Sequence, residues 1–184
     1  QAAVQAQGVF LDSTGAVRSF GALNAAVEAV VNGGVALVFQ VHCQNIADCD
    51  ETAFKLVYAK NQTAATAASA GTLLQVPNTE TSDSTWMWGN TTVAGLNNGT
   101  TTTRLTGSCT VTNGSTQLTA DQVPSVDLPD DGCVMLRYIV KVGDVAGSYF
   151  EYRLLTQAGL PLDGGYVADA RVTVVNPRAS GVGF

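Results

Sequence analysis

The feature that most constrains this chain is a succession of short segments in which apolar and polar residues alternate, separated by clusters of Gly, Asn, Asp and Thr. Val35, Leu37, Phe39, Val41 and Cys43 share one face of an extended run, opposite Ala36, Val38, Gln40 and His42. Phe54, Leu56 and Tyr58 share the inward face of a run flanked by Lys55 and Lys60, and Leu136, Tyr138, Val140 and Val142 oppose Arg137, Ile139 and Lys141. Phe150, Tyr152 and Leu154 oppose Glu151 and Arg153, and Ala168, Ala170, Val172 and Val174 oppose Asp169, Arg171 and Thr173. A period of two with one polar face is the signature of antiparallel strands wetted on one side. The expected fold is therefore all-β, a two-sheet antiparallel β-sandwich in an immunoglobulin-like or jelly-roll layout.

The same pass divides the chain into three parts. Residues 1–33 read as an N-terminal arm or hairpin, 34–176 as the sandwich and 177–184 as a C-terminal tail. Val4 to Leu11 alternates weakly, and Asp12-Ser13-Thr14-Gly15 forms a turn before Ala16 to Phe20. Leu23, Val27, Val30 and Val31 fall at helical spacing with Gly33 as a cap, which predicts the one short helix. Between Asn61 and Asn98 an Ala/Thr tract and a polar run read as a long decorated loop carrying a strand around Trp86 and Trp88.

Only 13% of the residues are charged, against about 25% in an ordinary soluble domain. Such a surface of Thr, Ser, Asn, Gln, Gly and Ala suits a protein that buries outer faces against neighbours. The net charge of −6 leaves no Lys/Arg stripe for phosphates, so no nucleic acid is expected as partner. No membrane span is expected either: the most apolar run, Ala25 to Val41, is cut by Glu28, Asn32, Gly33 and Gly34. The chain starts at Gln1 without methionine, consistent with a trimmed secretory leader. Cys43, Cys49, Cys109 and Cys133 leave more than one pairing open. Cys43–Cys49 and Cys109–Cys133 are the favoured bridges, since each pair flanks a turn-rich stretch, and disulfides imply an oxidising compartment.

Chemistry is hard to place on these residues. The lone histidine, His42, sits inside a β-run, where a structural role outweighs that of a general base, and neither G-x-S-x-G nor S-x-x-K occurs. No catalytic residue and no cofactor are expected. Asp48, Asp50 and Glu51 form an acidic cluster that is a weak calcium candidate without EF-hand spacing, and a solvated loop is the favoured reading. Trp86 and Trp88, with Tyr58 and Tyr166, are candidates for a glycan-binding platform, against the simpler reading of core packing. Asn61, Asn90, Asn98 and Asn113 each head an N-x-[ST] triplet and are candidate glycosylation sites. Val4, Ala6 and Phe10 are the arm positions that would fill a groove in a neighbouring subunit if the arm were added there as a strand; pairing within the chain's own hairpin is the alternative.

The order of Phe54-Lys55-Leu56-Val57-Tyr58, Thr102-Thr103-Arg104-Leu105-Thr106-Gly107, Leu136-Arg137-Tyr138-Ile139-Val140, Tyr149-Phe150-Glu151-Tyr152-Arg153 and Leu160-Pro161-Leu162-Asp163 resembles a β-sandwich surface-domain family. That family is seen in tailed-phage structural proteins and in extracellular proteins of environmental bacteria. The likeness spans residues 8–176 and implies a structural or attachment module without catalytic residues. The cysteines and the absent methionine depart from a cytoplasmically assembled virion protein and favour secretion. Chaperone–usher pilins differ too, because this chain ends in Gly181-Val182-Gly183-Phe184 where they carry an aromatic-rich final strand.

Together these readings lead to a self-assembling, homo-polymeric, non-enzymatic subunit of an extracellular pilus-like filament or cell-surface layer, joined through the N-terminal arm. A virion decoration or fibre protein on a capsid or tail lattice is the first alternative, and a carbohydrate-binding surface module the second.

Overall fold

Alternation along the chain becomes two packed sheets in the computed structural model, which describes residues 2–11, 17–23, 25–43, 48–51, 54–80, 85–87, 105, 107–118, 126–129, 131–156, 158–162 and 166–177. In chain order the elements are β1 (Ala2–Leu11), β2 (Val17–Leu23), β3 (Val27–Val30), β4 (Gly34–Cys43), β5 (Asp48–Glu51), β6 (Phe54–Lys60), α1 (Ala64–Ala70), β7 (Leu74–Gln75), β8 (Thr85–Met87), β9 (Thr110–Leu118), β10 (Val126–Pro129), β11 (Gly132–Val142), β12 (Tyr149–Thr156) and β13 (Ala170–Val175). For β1, β2, β5, β10 and β9 beyond Val111, the description is of backbone course and pairing.

The first sheet runs β2-β1-β4-β11-β8, with β9 beside β11; the second runs β3-β13-β12-β6-β7; β10 and β5 form a separate ribbon. Both sheets are antiparallel apart from β9 beside β11 and β3 beside β13. Two antiparallel-rich sheets face each other as an all-β sandwich. The core between them takes Val35, Leu37, Phe39 and Val41 from β4, Leu136, Tyr138, Val140 and Val142 from β11, Phe150, Tyr152 and Leu154 from β12, and Val172 and Val174 from β13. Each of these large side chains contributes roughly 1.5–3 kcal/mol through burial. Phe39 and Tyr138 meet edge to face at 5.9 Å in the first sheet, as do Tyr58 and Phe150 in the second.

Among the described residues a polar chain crosses this core. The Tyr152 hydroxyl on β12 donates to Thr85 Oγ1 on β8 at 2.6 Å, and Thr85 donates onward to the Lys141 carbonyl oxygen at 2.7 Å. The second sheet is thereby tied to the first through groups that are otherwise costly to bury.

Several expectations need correction. The helix expected from Leu23 to Val31 is instead the end of β2 and the strand β3, whose Val27 and Ala29 are buried while Glu28 and Val30 are exposed. A four-residue segment such as Val27–Val30 is too short for its apolar positions to separate the two periods, and pairing of Val27 to Val30 with Val172 to Val175 decides it. Gly33 caps no helix; its N–H closes a turn onto the Val30 carbonyl oxygen beside the left-handed Asn32 (φ 56°). The short helix lies in the Ala/Thr tract read as loop. Thr63 caps it by accepting from the Thr66 N–H at 3.1 Å, and Gly71 ends it in the left-handed conformation (φ 68°). Residues 1–33, read as an arm or hairpin, hold β1, β2 and β3; β1 and β2 pair with each other as a hairpin at the edge of the first sheet.

Candidate functional site

β1 occupies a distinctive seat. It lies antiparallel to β4 in unbroken register from Ala2 opposite Cys43 to Phe10 opposite Val35. On its other side β2 pairs with it only from Gln7 to Leu11, with register shifts on both sides of the Val9–Phe10 pairs. The ladder to β4 is thus the regular one. Positions 4, 6 and 10, named above as arm positions, lie across from Val41, Phe39 and Val35, all of which are core residues. In this single chain the seat is filled by the chain's own β1. The β1–β2 hairpin is tethered to β3, in the other sheet, by residues 24–26, of which Ala25 and Ala26 are exposed.

The cysteines support the same end of the first sheet. Cys109 and Cys133 form a disulfide with Cα atoms 5.8 Å apart. Cys43 is also disulfide-bonded; the side chain of Cys49, its expected partner, lies outside the described residues. The Asp131 N–H donates to the Cys43 carbonyl oxygen at 3.0 Å, and Asp131 accepts from the Thr110 N–H at 2.9 Å. His42 Nε2 lies 2.9 Å from Asp131 Oδ1, so the lone histidine is engaged in holding the turn into β11.

The other candidates are scattered. Asp48, Asp50 and Glu51 sit on strand β5, not in a loop, with Asp50 across from Asp127 of β10; their side chains lie outside the described residues. No cluster of metal-ligating side chains occurs among the described residues. Trp86 is only 7% exposed and pairs with Lys141 on the far side of β8 from core residue Met87, whereas Tyr58 is in the core between the sheets and Tyr166 packs against it. These three rings therefore do not line one surface, and Trp88 lies outside the described residues. Asn61 is exposed and left-handed (φ 54°), its Oδ1 accepting from the Tyr149 N–H at 3.0 Å. Asn113 falls in β9 where the register with β11 shifts. Asn90 and Asn98 lie outside the described residues.

Two arrangements escaped the sequence reading. On the outer face of the second sheet, Arg153 forms a two-pronged pair with Asp169 at 2.7 Å over the Tyr166 ring, and Arg171 pairs with Glu151 at 2.6 Å over the Tyr149 ring. Burial alone would lower the Arg153 pKa, but its bonds to Asp169 outweigh that and raise it; the bond to Glu151 raises that of Arg171. Glu151 Oε1 also accepts the Ala64 N–H at the start of α1. The first sheet's outer face is, by contrast, a second apolar cluster of Ala36, Val38, Cys109, Cys133, Met135 and Ile139. Gln40 and Arg137 are buried on that same face. Gln40 accepts from the Leu105 N–H at 2.6 Å and donates to Cys109 Sγ at 3.6 Å.

Among the described residues no helix is long and apolar enough to cross a membrane. No family model, curated protein or solved structure matches the chain.

Proposed function

We propose that this protein is a non-enzymatic structural subunit that self-assembles into an extracellular pilus-like filament or surface layer, by strand addition through its N-terminal arm. The observation that supports this reading most is the β1 seat: a regular nine-position ladder on β4, reached by a hairpin whose only described tether to the sandwich is exposed. A strand that pairs this way with its own β4 makes the same hydrogen bonds with the β4 of a neighbour. The exchange therefore conserves contacts and mainly costs association entropy. Passed head to tail, it builds an open chain of subunits. The low charge density and the disulfides suit a surface buried against copies of itself outside the cell.

Electron microscopy and size-exclusion chromatography of the native, non-reduced protein provide the test, alongside a chain lacking residues 1–12. Filaments are expected from the full chain. The truncated chain is expected to form none and to capture a synthetic peptide of residues 2–11 in trans. Filaments from the truncated chain would refute strand addition. A monomer or small closed oligomer from the full chain would favour a decoration protein bound to a capsid or tail lattice.

A further inference from the structure

We propose that the outer face of the first sheet holds a binding site for a carboxylate or similar oxyanion, built around the guanidinium of Arg137. Arg137 lies in the middle of β11 between Met135 and Ile139, is 2% exposed, and has neither Nε nor Nη1 hydrogen-bonded among the described residues. Its register partner on β4 is Val38, and the surrounding face is apolar. A guanidinium carries only donors and keeps its charge. Burial pushes its pKa down to about 10, which still leaves it protonated at neutral pH. The charge is therefore present and needs an acceptor, since a buried unpaired cation is among the costliest arrangements in a fold.

The acids whose side chains are described do not supply one. Glu151 and Asp169 are paired with Arg171 and Arg153 on the other sheet, and Glu28, Glu80 and Asp144 are exposed. Asp131 is bonded to His42, whose register partner Cys133 is four residues, or about 13 Å, along β11 from Arg137. The Gln40 carbonyl oxygen on this face is engaged by the Leu105 N–H, and on the other side of β11 the register partner of Arg137 is Gln117 of β9, whose side chain lies outside the described residues. Planar N–H donors in an apolar wall fit a carboxylate best, because its two oxygens satisfy the fork and its charge cancels the cation. Either a free anion or an acidic side chain of a second copy provides that chemistry.

The test measures thermal unfolding of the full chain at pH 7 and constant ionic strength, exchanging chloride for acetate or inorganic phosphate, for the wild type, Arg137→Met and Arg137→Lys. A free-anion site raises the wild-type midpoint by a few degrees as acetate or phosphate increases a hundredfold. Arg137→Met abolishes the shift, and Arg137→Lys retains part of it. An occupant from a second copy instead makes the wild-type midpoint rise with protein concentration, a dependence that Arg137→Met removes. A wild-type midpoint insensitive to both anion and protein concentration would overturn the site, without recourse to any variant. An anion response unchanged in Arg137→Met would mean an adventitious ion only and overturn it equally.

Discussion

The outer faces of the two sheets obey opposite rules. On the second sheet, β12 and β13 turn Phe150, Tyr152, Val172 and Val174 inward and Arg153, Arg171 and Thr173 outward, so that one face packs and the other carries ion pairs stacked on tyrosines. On the first sheet, β4 from Val35 to Val41 and β11 from Gly132 to Val140 are buried on both faces. One sheet has a polar outer face, while the two central strands of the other are buried on both sides. The difference shows that alternation reports a wetted face only where nothing covers it. A doubly covered strand reads as a near-continuous apolar run, and an Arg or Gln within it is then a buried polar group and not a surface one.

The sharpest way to break this contrast is to truncate a side chain on the first sheet's outer face. Ile139 is wholly buried there, so Ile139→Ala is expected to cost about 3.5 kcal/mol in denaturant unfolding, as a core truncation does. A loss under about 1 kcal/mol, the value for a surface site, would mean that this face is open. Next in size is the Cys109–Cys133 bridge, which joins two residues of the same apolar cluster with a sequence separation of 24. Replacing both residues by Ser is expected to cost about 3 kcal/mol, from the loop-closure entropy the bridge removes in the unfolded chain. Equilibrium unfolding of the double variant against the oxidised wild type gives the number.

Much of the fold was legible because its signal is local. The inward residues of β6, β11, β12 and β13 follow from period two alone, and the structure places Leu56, Tyr138, Tyr152 and Val172 in the core as that period requires. What stayed hidden depends on contacts distant in sequence. The Val27–Val30 segment fits a helix until β13 pairs with it, and α1 rests on Thr63 and Gly71 at the ends of a tract whose composition resembles a loop. The Arg137 environment was hidden for the same reason. Its neighbours on β11 look like an ordinary alternating strand, and only the apolar cluster with Cys109 makes that face interior. A retrospective signal did exist in the unusually apolar second face of β4, Ala36 and Val38, and in Met135 and Ile139 of β11.

Between the two sheets, the Tyr152–Thr85–Lys141 chain is a link that either face can disturb. Tyr152→Phe leaves Thr85 still donating to the Lys141 carbonyl oxygen, so the expected cost is about 1 kcal/mol, the value of one net hydrogen bond. A pH dependence separates this from a mere packing loss. Burial, foremost, raises the Tyr152 hydroxyl far above its usual pKa near 10, so the folded state keeps the proton that the unfolded chain releases. Its contribution is therefore full below pH 10 and falls as pH rises beyond it. Stability measured from pH 8 to 11 should decline less steeply above pH 10 in Tyr152→Phe than in the wild type, and equal slopes would contradict the assignment.

The smallest effect is expected at Arg171 on the second sheet's outer face, and its smallness is the informative part. The Arg171 side chain is 39% exposed and that of Glu151 9%, so their pair works partly against water and is screened by salt. Arg171→Met should cost only about 0.5 kcal/mol and less still at 1 M salt, because the Met side chain keeps the apolar contact with the Tyr149 ring. Glu151→Ala should cost more, about 1–1.5 kcal/mol, since it also removes the acceptor for the Ala64 N–H, which is buried at the start of α1. Denaturant titrations of both variants at two salt concentrations separate the terms: the salt-dependent part belongs to the ion pair, and the remainder to the anchoring of α1 on the sheet. Equal, salt-sensitive losses in the two variants would show that Glu151 acts only through Arg171, and that α1 is held to this face by Ala64 and Ala67 alone.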